Sequence, residues 1–320
     1  MRPVNSEVCV GQPVGALQHP PLSRTCCRLT WRWMWRIMLG FLAPRRACQA
    51  WPMPFLRMPT ALRVREPSLA LPSSEAHVWY AMTADCDKPD LRGYYLSVLS
   101  DEERARLEQF AFDHLKLEYL VTHALCRTVL STYEDIPPSA WRFSFNAYGR
   151  PEIVRPYPSP RMRFSLTNAR SLVACIVTKE VDAGIDGEEL NRPCEVVAIA
   201  RRYFSRAEQE ALLAMTPGRQ RRRFFELWTL KEAYIKACGM GLSMPLDQFS
   251  LLVEQTPISI AHHGSRIDVA GHWQFGLYQP SDYHLMAVAL RRGPAPDLRI
   301  RVREVVPNSR SWRKDVSCGY

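Results

Sequence analysis

The stretch from Phe224 to Phe249, FFELWTLKEAYIKACGMGLSMPLDQF, constrains the fold of this chain more than any other. Its apolar and aromatic density is that of a helix built for burial. Pro217 suits a first helical position upstream, and Gly239 and Gly241 supply a C-terminal stop. A helix is therefore predicted from Pro217 to Cys238. On it, Trp228, Glu232 and Ile235 follow the i, i+4, i+7 spacing and share a face, with Lys231 one turn beyond Trp228 and Lys236 one turn beyond Glu232. Taken alone, Glu232 and Lys236 make an ordinary i,i+4 pair worth about 0.2–0.5 kcal/mol. A carboxylate between two lysines on such a helix needs either that bland reading or a partner elsewhere in the chain.

The rest of the chain supplies layers for a buried helix. A strand is predicted near Ala76. Ser100 and Glu103 form a capping box ahead of a helix, and a long helix follows over about 114–133. Strand, turn and strand follow in WRFSFNAYGRPEIV, and two more short strands in RFSLTN and SLVACIVT. The second part has a helix in VVAIARRYF, a second capping box in SRAE at 205–208, the long helix, and strands near 247–253, 272–278 and 284–290. This is an α+β pattern of two similar α/β halves, over 76–183 and 184–292. Each half sets one long helix against a small, mostly antiparallel sheet. Residues 293–320 read as a tail with one candidate strand, and 1–75 as a leader.

Charge separates that leader from the body. The chain of 320 residues has a formal charge of +10, but residues 1–65 hold ten arginines, no lysine and a single acid, Glu7. The remainder is close to neutral, so no nucleic-acid footprint is expected of the fold. The apolar run from Trp31 to Leu42 is too short and too charged to span a bilayer. The leader reads as disordered sequence or sequence upstream of the working start, at Met53 or Met58. A transit peptide or a membrane-surface element are its other readings, and membrane contact is expected only through it. The ten cysteines form no C-x-x-C pair, which argues against a zinc site and for a reducing cytoplasm.

GIDGEEL carries the second acidic feature. Asp186 and Glu188 are i and i+2, so in an extended segment both point to one side and repel unless a cation stands between them. Hard oxygen ligands of this kind, with phosphates and waters, describe a magnesium site, while a solvated turn is the alternative for the motif by itself.

The two motifs together resemble the signatures of the Sfp-type 4′-phosphopantetheinyl transferases. Gly184, Ile185, Asp186 and Glu188 match G-[IV]-D-x-E. Trp228, Thr229, Lys231, Glu232, Ala233 and Lys236 match W-[ST]-x-K-E-[SA]-x-x-K. GMGLSMPLDQF, YGRPEI and FSLTNARSLVAC resemble three further family segments, in consistent order over roughly 76–290. The resemblance implies the fold of that family, with halves related by a pseudo-twofold. It implies transfer of 4′-phosphopantetheine from coenzyme A to a serine of an apo acyl or peptidyl carrier protein, with release of 3′,5′-ADP. Carriers of fatty-acid, polyketide and nonribosomal-peptide type all fit. By the same resemblance, Asp186, Glu188 and Glu232 would hold Mg²⁺, Glu232 would take the serine proton and Lys236 would stabilise the leaving phosphate. Arg150, Thr167, Asn168, Lys231 and Arg106 would contact coenzyme A.

Two departures stand out. Asn168 stands where many relatives have a histidine that contacts the 3′-phosphate, which leaves that contact open. Gly187 stands where an apolar residue is usual, which predicts a looser strand. A non-catalytic carrier-binding relative of the same fold is the alternative, although it predicts lost acids and all three are present. A cytoplasmic monomer acting in trans is expected.

Overall fold

The computed structural model describes residues 69–154, 161–263, 269–308 and 312–316. The leader up to residue 68 lies outside the described residues. Leu69 and Leu71 already pack against the core, so the folded part begins before Ala76, the boundary expected from sequence.

One order of elements occurs twice. In the first part β1 (Glu75–Met82) leads into α1 (Thr83–Cys86), α2 (Pro89–Val98), α3 (Asp101–Leu107) and the long α4 (Asp113–Leu130). The hairpins β2 (Phe143–Phe145) with β3 (Pro151–Ile153), and β4 (Met162–Ala169) with β5 (Leu172–Lys179), complete it. In the second part β6 (Asp182–Glu189) leads into α5 (Val196–Tyr203), α6 (Arg206–Leu213) and the long α7 (Pro217–Cys238). The hairpins there are β7 (Phe249–Leu252) with β8 (Ser259–His262), and β9 (Trp273–Ser281) with β10 (His284–Arg291). The sheet orders repeat as well: β1-β5-β4 in one part and β6-β10-β9 in the other.

The caps work as the sequence predicts. Ser100 and Ser205 each accept from the backbone N–H three residues on, and Glu103 and Glu208 return a carboxylate to the cap. α7 starts at Pro217 and ends with Gly239 in the left-handed conformation, φ 66°, which a residue with a Cβ adopts only with strain. Its buried face, with Phe224, Phe225, Trp228 and Tyr234, forms a core with the second sheet, while α4 packs on β5 and β4.

Residues 293–320, expected as a tail, contribute to the first sheet. β11 (Arg299–Val305) runs parallel to β1 on the side opposite β5, and β12 (Trp312–Val316) adds the outer edge. Arg301 clamps Glu75 through two nitrogens, at 2.7 and 2.9 Å. The pairing spans more than two hundred residues of chain, so no local pattern announces it.

Candidate active site

The two sheets meet where β4 lies along β6. They do so through side chains. Ser165 Oγ accepts from the Ile185 N–H at 3.3 Å, and Thr167 Oγ1 accepts from the Gly187 N–H at 3.0 Å. Two hydroxyls at i and i+2 of β4 thus satisfy two outward N–H groups of β6, which would otherwise be an open sheet edge. Thr167 also donates to Asp186 Oδ1 at 3.2 Å. Gly187 is therefore held in a ladder on one side, opposite Met286, and by a hydroxyl on the other. The looser strand expected there does not occur.

α7 crosses the other side of β6 at very close range. A Cβ on Gly184 would lie 2.5 Å from the Ala237 nitrogen and nearer still to the Ala233 carbonyl oxygen. This approach is what brings Glu232 and Lys236 to the acids of β6. Lys236 Nζ stands 2.7 Å from Asp186 Oδ1 and donates also to the Ile185 and Leu166 carbonyls, at 2.9 and 3.3 Å.

Asp186, Glu188 and Glu232 are 5%, 3% and 4% exposed. Burial, with Asp186 and Glu188 adding repulsion, pushes the Glu232 carboxyl up to about 8 against the pull of Lys236. Burial likewise lifts Glu188 to about 7, with Arg192 opposing and Asp186 reinforcing. Asp186 is raised by burial too, although the Lys236 ammonium pulls the other way. Asp186 Oδ2 and Glu188 Oε1 are buried and have no hydrogen-bond partner. Buried carboxylate oxygens without partners are costly, and three buried acids set against Lys236 and Arg192 leave an excess of negative charge that a hard divalent cation would relieve. Among the described residues no group of three ligating side chains is already gathered around one point. Lys236 holds one Asp186 oxygen instead. The donor chemistry fits a magnesium-like ion, although the coordination sphere is not preformed.

Two cavities meet at this cluster, and Asn168 and Lys236 line both. One is bordered by Asp186, Glu188, Glu232, Arg192, Glu118 and Arg170. The other runs between α4, the β2–β3 turn and the end of α7. Its aromatic rings and His123 were not singled out from sequence. Only their place on α4 and the β2–β4 region brings them together, and no motif marks them.

Several residues expected to contact coenzyme A are engaged within the protein. Lys231 is fully buried. Its Nζ donates to the Leu246 and Phe249 carbonyls at 2.7 and 2.6 Å and pairs with Glu208 at 2.9 Å, so its ammonium is consumed inside the core. Thr167 is buried and orients Asp186, as described above. Arg150 lines the second cavity, but Nη1 donates to the Ala237 carbonyl at 3.0 Å while Nη2 meets Glu152 and Asp182 at 3.1 and 3.4 Å. With Asn146 Nδ2, which donates to the Gly239 carbonyl at 2.8 Å, Arg150 clasps the β2–β3 turn to the end of α7. Arg106 lines neither cavity. Its guanidinium lies 5.6 Å from the Phe110 ring centroid and donates to Gln109. Arg104, on the same helix, folds back on the Leu96 and Leu99 carbonyls.

A family model described as the 4′-phosphopantetheinyl transferase superfamily matches residues 182–289, which span β6 to β10. The 4′-phosphopantetheinyl transferase Sfp of Bacillus subtilis is 34% identical over 161 residues, covering 50% of this chain and 69% of that protein. The 4′-phosphopantetheinyl transferase HetI of Nostoc sp. is 27% identical over 227 residues, covering 71% of this chain and 92% of that protein. The human L-aminoadipate-semialdehyde dehydrogenase-phosphopantetheinyl transferase is 26% identical over 238 residues, covering 69% and 77%. In every case the matched enzyme bears the name of the same transfer.

Proposed function

Because the chain belongs to the 4′-phosphopantetheinyl transferase superfamily and is a transferase of phosphopantetheine to carrier proteins, we propose that its reaction centre is the cluster of Asp186, Glu188, Glu232 and Lys236. The observation that carries this reading is the pair of partnerless carboxylate oxygens, Asp186 Oδ2 and Glu188 Oε1, buried where two cavities meet.

In the reaction, the carrier serine oxygen forms a bond to the phosphorus that bears pantetheine. The bond from that phosphorus to the oxygen bridging the two phosphates breaks, and 3′,5′-ADP leaves with the electron pair. Asp186, Glu188 and Glu232 would hold Mg²⁺, which when bound neutralises the diphosphate and makes the leaving group better. Glu232 is the acid proposed to take the serine proton, which it can do only in its ionised form, the form that a bound cation would favour. Lys236, fixed by Asp186 and two carbonyls, keeps a positive charge at the junction of the cavities without needing to move. Thr167 holds Asp186 in line. Acyl and peptidyl carrier proteins are the acceptor class.

Among the described residues no helix is long and apolar enough to cross a membrane, and the five described cysteines are free thiols. The direct test is mass spectrometry of apo carrier proteins incubated with coenzyme A, Mg²⁺ and this protein. A gain of one phosphopantetheine on a carrier is expected. No gain on any carrier, at any divalent cation concentration, overturns the assignment.

A further inference from the structure

Asp186, Glu188 and Glu232 all line one of the two cavities that meet at the cluster, and none of them lines the other. In a transfer at phosphorus the attacking and leaving oxygens stand roughly in line, on opposite sides of the phosphorus. If Glu232 takes the proton of the acceptor serine, that serine stands in the acid-lined cavity and the leaving nucleotide on the far side. The acceptor is a protein, so its serine reaches the acids only through the mouth of this cavity.

The β4–β5 turn forms part of that mouth through Asn168, Ala169 and Arg170, and it is clamped from three sides. From β10, His284 Nε2 donates to the Arg170 carbonyl at 2.6 Å. From α4, Glu118 Oε1 accepts from the Ser171 N–H at 3.3 Å. At the start of α1, the Thr83 N–H donates to the Ser171 carbonyl at 2.9 Å. Ser171 itself sits at φ 66°, a left-handed conformation that costs a residue with a Cβ and persists where the surroundings enforce it. The turn is thus tied to both halves of the molecule and holds Arg170 at a fixed place.

Arg170 is exposed and lines the acid-lined cavity, yet among the described residues its guanidinium makes no hydrogen bond and no ion pair. Its charge does reach Glu118, whose carboxyl it pulls down against the effect of burial. The other cations at the cluster are engaged. Lys236 holds Asp186 and two carbonyls, and Arg192 pairs with Glu188 at 3.5 Å. No acid of the described chain pairs with Arg170, Glu189 at the same mouth included. A rigidly presented guanidinium of this kind suits a carboxylate, which it can grip through two nitrogens.

We propose that Arg170 is an acceptor-specificity residue, whose guanidinium pairs with an acidic side chain of the carrier protein close to the accepting serine. The proposal rests on the transfer reading above and gives the first half of the molecule a part in choosing the acceptor.

The test is steady-state transfer by the full chain and its R170A, R170K and R170E variants with Mg²⁺, varying the carrier at saturating coenzyme A and then the reverse. In R170A, kcat/KM for the carrier should fall by up to about fivefold, the range of an exposed ion pair. R170E should fall further and R170K should stay close to the wild type, while KM for coenzyme A is unchanged in all three. Raising the ionic strength should narrow the gap between R170E and the wild type. A charge swap identifies the partner. Among carriers whose acids near the serine are replaced singly by lysine, one should be modified faster by R170E than by the wild type. A raised KM for coenzyme A with the carrier unaffected, no change for either substrate, or no carrier that prefers R170E overturns the proposal. Failure of the wild type to modify any carrier would instead overturn the transfer reading itself.

Discussion

Glu208 accepts from Lys231 at 2.9 Å inside the second core, and in the first core Glu103 accepts from Arg127 at the same distance. The likeness extends further. Each glutamate is the third helical residue of a capping box, each cation lies on the long helix that follows, and each cation also donates to two backbone carbonyls beyond that helix. For Arg127 these are Pro138 and Trp141, and for Lys231 they are Leu246 and Phe249. The same joint therefore fixes a short helix, a long helix and the following loop in both parts of the molecule.

Lys231 accordingly acts on stability rather than on coenzyme A. Lys231→Ala leaves Glu208 buried without its cationic partner, and unfolding free energy should fall by about 3–5 kcal/mol. Chemical denaturation measures this. At a temperature where the variant remains folded, its KM for coenzyme A should stay close to that of the wild type. A large KM change with unchanged stability would return Lys231 to the phosphate site.

The buried acids give the metal-free protein a two-sided dependence on pH. Burial would raise Glu103, but His123 and Arg127 bring it down to about 2 from 4.5. Its contribution to stability is present above pH 4.5 and lost as pH falls toward 2. Glu188 and Glu232 are raised, to about 7 and 8. Their contribution is present below pH 4.5 and lost as pH rises through 7 to 8. Denaturation in a chelator should therefore show a maximum between these arms. E103Q should flatten the acid arm and E188Q the alkaline one. An alkaline arm unaffected by E188Q and E232Q would contradict the burial argument.

Gly184→Ala tests the crossing of β6 and α7. The new methyl would meet backbone atoms on the helix, which cannot rotate aside. Strand and helix must separate, carrying Glu232 and Lys236 away from Asp186. Loss of most activity is expected together with lowered stability, typically about 1–3 kcal/mol for overpacking. Retention of wild-type turnover would mean that the crossing tolerates more space than the structure has.

Asp186→Ala removes one of the few candidate ligands for the cation. Transfer should fall by orders of magnitude at limiting Mg²⁺ while the protein stays folded, checked by circular dichroism beside the carrier assay. Excess Mg²⁺ should restore only part of it. Near-normal turnover at limiting Mg²⁺ would remove Asp186 from the site.

Local signals were legible in the sequence: both capping boxes, Pro217, Gly239 and the paired acids of GIDGEE. Each depends on residues within a turn or two of one another. The role of Lys231 was not legible, because helical spacing places it next to Glu232 but does not say which side of the helix faces a cleft. The recurrence that explains it was present in the chain as Ser-x-x-Glu followed by a cation on the next long helix. The cation differs between the two copies, arginine in one and lysine in the other, so identity alone does not reveal it. The internal partners of Arg150 and Arg106 were not legible for a related reason. The charge of each arginine was visible, whereas the carbonyls, carboxylates and ring that engage them come from other elements or from side-chain direction.

The parallel pairing of β11 with β1 has a consequence for synthesis. While the ribosome is still making the second half, β1 has β5 on one side and an open row of backbone groups on the other, awaiting a strand more than two hundred residues downstream. The first sheet can thus be completed only after nearly all of the described chain has emerged. Until then the nascent protein carries an unpaired edge of the kind that promotes association between chains. A product cut short before Arg299 would keep every residue of the carboxylate cluster and still be prone to aggregate.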